Sequence, residues 1–292
     1  MRIMRAGHRE VTITHPGKAL FPDGTTKADL AAYYRDVAPA MLPHVRDRPV
    51  SLQRFNSGIG GGGFFQKDIP RGAPEWVRRV RVPKHGGTVC HALANEAATL
   101  VWLANQNCIT PHVWTSRADR LDRPDRIIWD LDPSGDDFAL VRRTALELGA
   151  LLRDAGCEPF AMTTGSRGVH VVIAIRRRHG FDRAREAALA VAEELVSRRP
   201  DDLTTAFRKQ KRGGRLFVDV NRNAWAMTAV PAYAARPRPG APVAAPLRWE
   251  ELEDPALTPD RWTLRTMRER LEAVGDPWAD IARSAGRLPR LA

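Results

Sequence analysis

The chain has 292 residues, a formal net charge of +12 at pH 7, and a hydrophobic share of 43%. This length and composition predict a folded protein with a sizeable core and exclude an intrinsically disordered chain. No apolar run is long enough to span a membrane, and residues 1–10 lack the apolar segment of a secretory signal. Cys90, Cys108 and Cys157 form no CxxC pair, which excludes a zinc ribbon and favours a reducing cytoplasm.

The charge balance gives the first indication of a partner. The chain has 46 Lys and Arg residues against 34 Asp and Glu residues. A surface with this excess attracts polyanions, most often nucleic acid. A genome-wide bias towards arginine would also enrich the basic residues, and composition leaves both explanations open.

The first part of the chain predicts a mixture of helices and strands. A helix over 26–46 begins at Thr26 with Asp29 three positions later, the pattern of a capping box. After it come a strand at 48–55, a glycine run that ends in Phe64 and Phe65, a helix at 95–106 and a strand at 108–114.

The second part alternates strands and helices, which predicts an α/β or α+β fold with a central sheet flanked by helices. The predicted elements are a strand at 126–132, a helix at 137–155, a strand at 158–163, a tight loop at 164–168, a strand at 169–175, a helix at 181–198 and strands at 215–221 and near 226–230. Five prolines make 231–246 an extended, irregular segment, and a last helix is predicted near 260–274.

Two carboxylates stand at the end of the predicted strand 126–132, in the sequence WDLDP. Strand side chains alternate, so Asp130 and Asp132 project from the same face. Like charges this close repel unless a cation lies between them, and oxygen ligands suit Mg²⁺ or Mn²⁺. The alternative is a strand end whose aspartates cap the following loop.

A third carboxylate, Asp219, follows three apolar residues in another predicted strand. Burying an aspartate is costly unless it is paired or bound to metal. Three carboxylates on adjacent strands can hold two metal ions, one that lowers the pKa of an attacking hydroxyl and one that neutralises a leaving pyrophosphate. A salt bridge to one of the many arginines is the alternative explanation.

The loop TTGSRGVH at 163–170 joins two predicted strands. Its glycines let backbone N–H groups approach a phosphate, and Ser166, Arg167 and His170 add hydrogen-bond donors. Such a loop can bind a triphosphate. An ordinary hairpin turn would carry the same glycines.

Taken in order, WDLDP, SRGVH and FVD resemble the motifs of the archaeo-eukaryotic primase superfamily. More closely, the chain resembles the polymerase domain of bacterial ATP-dependent DNA ligase D, which serves non-homologous end joining. The resemblance extends over HPGKALFP (15–22), TTKAD (25–29), RPVSLQRF (48–55), GFFQK (63–67), Tyr233 to Arg238 and the segment from Trp249. It implies a single primase-polymerase-like domain over 1–292. Within it, about 1–115 would bind DNA and a 5′-phosphate, and 116–292 would form the catalytic core.

The resemblance also implies a role for each matching residue. Catalysis and metal binding, by two Mn²⁺ or Mg²⁺ ions, would fall to Asp130, Asp132 and Asp219. The incoming nucleoside triphosphate would meet Ser166, Arg167, Gly168, His170, His112, Arg236 and Arg238. DNA and its 5′-phosphate would meet Lys18, Lys27, Arg54, Phe64, Phe65 and Lys67.

The implied activity is extension of a primer 3′-hydroxyl at gapped or broken DNA ends, with ribonucleotides preferred. Ku and a separate DNA ligase are the implied partners, and the location is the cytoplasm, associated with the nucleoid. Without the resemblance, Phe64, Phe65, His112 and Tyr233 would be interpreted as core residues, and Lys18 and Lys27 as solvated surface lysines.

Four departures from the family pattern concern substrate affinity more than chemistry. They are Arg167 in place of lysine, His15 in place of asparagine, Gln53 in place of a basic residue, and Ala226-Met227-Thr228 in place of Gly-Lys-Thr. Two other functions remain possible. One is a DxD phosphatase of the haloacid dehalogenase type, although its nucleophile normally lies near the N-terminus. The other is a DNA-end-binding scaffold with a degenerate site.

Overall fold

The computed structural model describes residues 1–291. The chain divides into two compact units, and it passes between them more than once. The first unit contains residues 1–119, 228–244 and 262–275, and the second contains 120–227, 245–261 and the residues from 276 onward. Among the described residues, no helix combines the length and the apolar character that crossing a membrane would require.

The first unit is built on an antiparallel five-stranded sheet. Its elements before residue 119 are β1 (Arg2–Ala6), β2 (Arg9–Ile13), α1 (Lys27–Asp36), α2 (Ala38–Val45), β3 (Pro49–Arg54), β4 (Phe64–Gln66), β5 (Arg79–Lys84), β6 (Gly87–Leu93), α3 (Ala97–Asn105), β7 (Cys108–Val113) and β8 (Ser116–Arg117). Strand β3 is central and pairs antiparallel with β4, β6 and β7, while β1 and β2 form a separate hairpin. The apolar helix α3 is almost wholly buried and packs against α1 and β2.

The second unit contains a six-stranded mixed sheet. Its elements are β9 (Arg120–Pro124), β10 (Arg126–Asp132), α4 (Phe138–Asp154), β11 (Pro159–Thr163), β12 (Val169–Ala174), α5 (Phe181–Arg198), β13 (Leu203–Thr204), β14 (Leu216–Asp219) and β15 (Ala245–Leu247). The strand order is β13-β14-β10-β12-β11-β15, in which only β13 and β14 run parallel. The last helix, α6 (Met267–Val274), belongs to the first unit. These sheets and helices confirm the predicted mixed fold class.

Helix α5 covers one face of the second sheet. The buried Trp129 of β10 points to this face and donates from Nε1 to the Ala188 carbonyl oxygen of α5 (2.9 Å). Because strand residues alternate, the neighbouring Asp130 projects from the opposite face. Two consecutive residues therefore serve the two faces of the sheet: Trp129 packs against α5, and Asp130 projects into the candidate site.

Three sequence predictions differ from the observed elements. The single helix predicted over 26–46 is wrong, because α1 ends at Asp36 and α2 begins at Ala38. Pro39 near the start of α2 cannot donate to the preceding turn, and its ring would clash there, so the helix breaks. The strand predicted near 226–230 is only an isolated bridge between Ala229 and Val113, and the helix predicted from 260 begins at Met267.

Candidate active site

The centre of the candidate site is a row of three side chains across the second sheet. Asp130 of β10 pairs in register with Asp219 of β14 on one side and with His170 of β12 on the other. Residues paired across neighbouring strands project from the same face, so both carboxylates and the imidazole point the same way. Asp132 lies two residues further along β10 and shares this face.

The carboxylates of this row contact basic side chains. Arg222 Nε lies 3.5 Å from Asp130 Oδ2 and 3.9 Å from Asp219 Oδ2. Asp132 accepts from Arg167 Nη2 (2.8 Å) and lies 3.5 Å from Arg212 Nη1. Within residues 1–291, no three His, Cys, Asp or Glu side chains form a group that could hold a metal ion as they stand. The aspartates therefore face guanidinium groups in this conformation.

The donor set of the row nevertheless suits a divalent cation. Three carboxylates on one face supply oxygen ligands only, as Mg²⁺ and Mn²⁺ require. In this structure the carboxylates contact guanidinium groups, which shows that their negative charge favours a cation at this edge of the sheet. Asp130 and Asp132 are only partly buried, with side chains 17% and 33% exposed, so an ion can reach them.

The side chain of Asp219 anchors the backbone that follows it. Its side chain is 11% exposed, and its Oδ1 accepts from the Asn221 backbone N–H (2.8 Å) and from Asn221 Nδ2 (2.6 Å). These bonds hold the turn that starts the short 3₁₀ helix of residues 221–223, which carries Arg222. The turn thus places Arg222 beside two of the carboxylates.

The loop 164–168 lies against the end of β10. A Cβ atom at Gly168 would overlap the Leu131 carbonyl oxygen, so only glycine allows this approach. The loop is closed by Thr164, whose N–H donates to the Gly168 carbonyl and whose Oγ1 accepts from the Gly168 N–H. The Gly168 amide is therefore used inside the loop, and its predicted role in nucleotide binding stays a prediction.

His170 and Arg167 connect this loop to the aspartates. His170 Nε2 lies 3.5 Å from Asp130 Oδ1, and the imidazole is buried. Its Nδ1 makes no hydrogen bond to any part of the chain that the structure describes. Arg167 is exposed and reaches Asp132, while Ser166 is half-buried at the loop tip. The structure thus brings Ser166, Arg167 and His170 to the same strand ends as Asp130 and Asp132.

A second group of predicted residues lies in the first unit. Lys18 donates from Nζ to the Asn56 carbonyl, Lys27 to the Asn105 carbonyl (3.1 Å), and Arg54 Nε to the Gln106 carbonyl (2.8 Å). These partners are neutral oxygens. Burial lowers the pKa of Lys27, and the charges of Lys18 and Arg54 lower it further. Lys18 and Arg54 are thus each close enough to repel Lys27, and a group of cations like this suits a phosphate.

The aromatic residues after the glycine run are on the surface, not in a core. Phe64 and Phe65 are 45% and 55% exposed. The Phe65 ring meets the His112 ring edge-on at 5.1 Å, and the Arg54 guanidinium lies 5.6 Å from the Phe64 ring centre. His112 also lies within hydrogen-bond distance of Gln53 Oε1 (3.2 Å). Two exposed rings, one of them beside a guanidinium, favour base stacking over a packing role.

The remaining predicted residues of the first unit are Lys67, Arg236 and Arg238. Lys67 is exposed directly after β4. Arg236 is half-buried and Arg238 is exposed in the extended segment, where the Arg236 N–H donates to the Pro242 carbonyl. Tyr233 is 1% exposed, in agreement with its interpretation as a core residue.

Sequence reasoning missed the arginines that neutralise the aspartates. Arg212 is buried, although its basic neighbours in the segment after β13 are exposed, and its guanidinium lies over the Phe217 ring at 3.9 Å. Arg222 follows Asp219 by three residues, and this spacing was the only sequence signal that could have identified it. Among 46 basic residues, neither stands out before the fold is known.

Comparison with known proteins gives consistent matches. A family model described as LigD, primase-polymerase domain matches residues 26–278. The multifunctional non-homologous end joining protein LigD of Mycolicibacterium smegmatis is 33% identical, over 94% of this chain and 36% of its own length. Its counterpart from Pseudomonas aeruginosa is 34% identical, over 97% of this chain and 34% of its own length. The chain thus spans about a third of these curated relatives.

A solved structure also matches the fold. The polymerase domain of Mycobacterium tuberculosis ligase D in complex with DNA aligns with a TM-score of 0.88 and 31% identity. The alignment covers 94% of this chain and 99% of that chain. The predicted primase-polymerase-like fold is thereby confirmed.

Proposed function

Because the chain belongs to the LigD primase-polymerase domain family, we propose that it is a nucleotidyltransferase that extends a primer 3′-hydroxyl at gapped or broken DNA ends. One observation carries the proposal. Asp219, Asp130 and His170 form a row on one sheet face, and Arg167 from the adjacent loop reaches Asp132. Catalysis of nucleotidyl transfer consists largely of positioning the reacting groups and neutralising the charge of the triphosphate. It therefore needs carboxylates close to hydrogen-bond donors that can bind the triphosphate.

The residues of the second unit would divide the work on the nucleotide. Arg167 would release Asp132 and bind the triphosphate, because guanidinium binds phosphate oxygens in a bidentate way. Ser166 would add a hydroxyl donor at the loop tip, and the free Nδ1 of His170 offers one further polar atom. Divalent metal ions, held by Asp130, Asp132 and Asp219, would supply the positive charge that activates the 3′-hydroxyl and stabilises the leaving pyrophosphate.

The residues of the first unit would bind the DNA. Lys18, Lys27 and Arg54 would bind a 5′-phosphate, because their present partners are neutral carbonyl oxygens. Phe64 and Phe65 would stack on template bases, a contact worth about 1–3 kcal/mol per base. Lys67, His112, Arg236 and Arg238 keep the DNA and nucleotide roles predicted from the sequence.

The test is extension of a labelled primer that faces a short gap, with and without a 5′-phosphate on the downstream strand. Each reaction contains Mn²⁺ or Mg²⁺ and either ribonucleotides or deoxyribonucleotides. We expect metal-dependent extension, stimulated by the 5′-phosphate and faster with ribonucleotides. The other proposed partners, Ku and a separate ligase, would be added to the same reaction, where they should increase joining of the extended ends.

The matched variants are Asp130→Asn and Asp201→Asn. Asp130→Asn should reduce extension by at least about 100-fold with DNA affinity nearly unchanged, because the loss of charge affects the reacting groups. Asp201 is an exposed aspartate of the same unit, and its variant should extend like the parent. Full activity in Asp130→Asn would refute the assignment. No extension by the parent, with DNA binding retained, would favour the scaffold, and hydrolysis of p-nitrophenyl phosphate would favour the phosphatase.

A further inference from the structure

The second unit contains a cavity of about 630 Å³ that the catalytic assignment does not use. It lies between the loop after β12, one side of the N-terminal half of α5 and the segment 286–291. Its volume is within the range of small-ligand sites. The charged side chains that line it are five arginines and one glutamate, namely Arg176, Arg178, Arg183, Arg287, Arg290 and Glu186.

Backbone hydrogen bonds fix the wall that the segment 286–291 contributes. The Gly286 N–H donates to the Ala174 carbonyl (3.1 Å), and the Arg176 N–H donates to the Gly286 carbonyl (2.8 Å). Gly286 therefore forms a parallel bridge with Ile175, the residue that follows β12. Pro289 is buried, so the segment is also held by packing. These contacts hold the arginines after β12 and those of the segment 286–291 at the same cavity.

Among the described residues that line the cavity, one carboxylate stands against five arginines. Glu186 is already paired with Arg183 at 2.9 Å. Within residues 1–291, no carboxylate contacts the side chains of the four other arginines, which are all exposed. At the candidate active site, in contrast, Arg167 and Arg222 each meet an aspartate. Like charges lining one cavity repel, and a bound anion would relieve that repulsion.

The cavity is separate from the candidate active site. His170, beside Asp130, and Arg176, in the cavity, are six residues apart on one extended stretch, which corresponds to about 20 Å. We propose that this cavity is a second phosphate-binding site, which takes the phosphates of a nucleic-acid backbone or a free polyphosphate. Guanidinium groups recognise both because each pairs two donors with two phosphate oxygens.

The first test locates binding by backbone amide NMR, with tripolyphosphate added in the presence of EDTA. We expect resonances of residues 176–182 and 286–291 to shift in a saturable way, independently of any shifts at 164–170. This readout needs no catalysis, so it does not depend on the proposed function. The absence of saturable shifts in these two segments would overturn the proposal.

The second test uses the double variant Arg178→Ala/Arg287→Ala, with Arg143→Ala/Arg198→Ala as the control of equal charge. All four arginines are exposed in the second unit, and only the first two line the cavity. The cavity variant should bind tripolyphosphate at 176–182 at least about tenfold more weakly, since each charge-assisted bond contributes that much or more. The control should bind like the parent, and equal losses in both variants would overturn the proposal.

The third test separates the two sources of phosphate. Duplex DNA binding is followed by fluorescence anisotropy from 50 to 200 mM salt. If the site takes backbone phosphates, the slope of log Kd against log salt should decrease by about two in the cavity variant and not in the control. Unchanged slopes together with weaker tripolyphosphate binding would identify a free polyphosphate as the ligand. Primer extension by the same variant shows whether the candidate active site is intact.

Discussion

At the scale of single residues, the candidate site is a balance between carboxylates and guanidinium groups. Asp130 and Asp219 are paired in register, and such a pair is unfavourable unless a cation shares it. Arg222 supplies that charge here, from a turn that Asp219 itself holds through Asn221. The same need for positive charge makes the row suitable for divalent ions. Either the arginine or a divalent metal ion can thus relieve the repulsion between these carboxylates.

Gly168 gives the first prediction at this scale. Gly168→Ala should lower the free energy of unfolding by about 1–3 kcal/mol, because the new Cβ would overlap the Leu131 carbonyl oxygen and neither backbone can easily move. It should also weaken nucleotide binding, since the loop would shift away from Asp132. Urea unfolding and nucleotide titration measure the two effects.

The control for that substitution is Gly135→Ala in the same unit. A Cβ there meets nothing within 4 Å, and the backbone does not require a positive φ. Its unfolding free energy should therefore stay within a few tenths of a kcal/mol of the parent value. Equal stability of the two variants would contradict the packing explanation of Gly168.

Lys27 gives a prediction of pH dependence. Only the charged ammonium attracts a 5′-phosphate, and burial lowers the pKa of Lys27 below that of an ordinary lysine. The second pKa of the phosphate is about 6, so the phosphate does not titrate in alkaline solution. The gain in DNA affinity from a 5′-phosphate should therefore decrease as the pH rises through the lowered pKa of Lys27.

The measurement compares DNA ends with and without the 5′-phosphate from pH 7.5 to pH 10. Lys27→Met should lack most of the phosphate-dependent gain at every pH, and with it the decrease. Lys84→Met removes an exposed lysine at the end of β5 and should keep the parent profile. A variant Lys27→Met with the parent profile would show that another group titrates.

At the scale of elements, the start of α1 links stability to the proposed 5′-phosphate site of Lys18, Lys27 and Arg54. Thr26 and Asp29 form a reciprocal capping box, with the Asp29 N–H donating to Thr26 Oγ1 (3.2 Å) and the Thr26 N–H donating to Asp29 Oδ2 (2.8 Å). This cap sets the position of Lys27, the first residue of the helix. The same turn thus stabilises the helix and orients Lys27, which is proposed to bind the 5′-phosphate.

Thr26→Ala should lower the free energy of unfolding by about 1 kcal/mol, because the first N–H groups of α1 lose their side-chain acceptor. Thr26→Ser keeps the hydroxyl and should retain nearly all of the parent stability. Denaturant unfolding of the three proteins tests the prediction. A serine variant as unstable as the alanine variant would show that the methyl group matters, and not the cap.

At the scale of the whole molecule, the net charge of +12 should govern the proposed association with DNA. Binding of Lys and Arg to phosphates releases counterions, so affinity should fall by about 10³-fold or more between 50 and 200 mM salt if six or more phosphates are contacted. Lys18→Met should reduce the slope of log Kd against log salt by about one. Fluorescence anisotropy measures both, and an affinity independent of salt would contradict this interpretation.

Much of the second unit was predictable because its pattern is local. The helix predicted over 181–198 and the strand over 126–132 match α5 and β10 residue for residue, since apolar periodicity and flanking glycine or proline define them. The strands β1, β2, β5 and β6 were missed. Fewer than half of the residues of β1, β2 and β5 are buried, and several of the others are arginines, so the apolar alternation of these strands is weak in the sequence. Strand β6 begins with the exposed Gly87 and Thr88.

The sequence by itself determined which residue types are present and at what spacing: the carboxylates Asp130 and Asp132 on one strand face, the glycine loop, and the ordered motifs that indicate the family. Only the tertiary structure decided that Asp219 and His170 flank Asp130, that Arg222 neutralises two of the carboxylates, and that five arginines line one cavity. The physical reason is that alternation along a strand is a local property. Strand pairing and charge neutralisation depend on residues that are distant in the chain, and among so many arginines no local rule selects the partner.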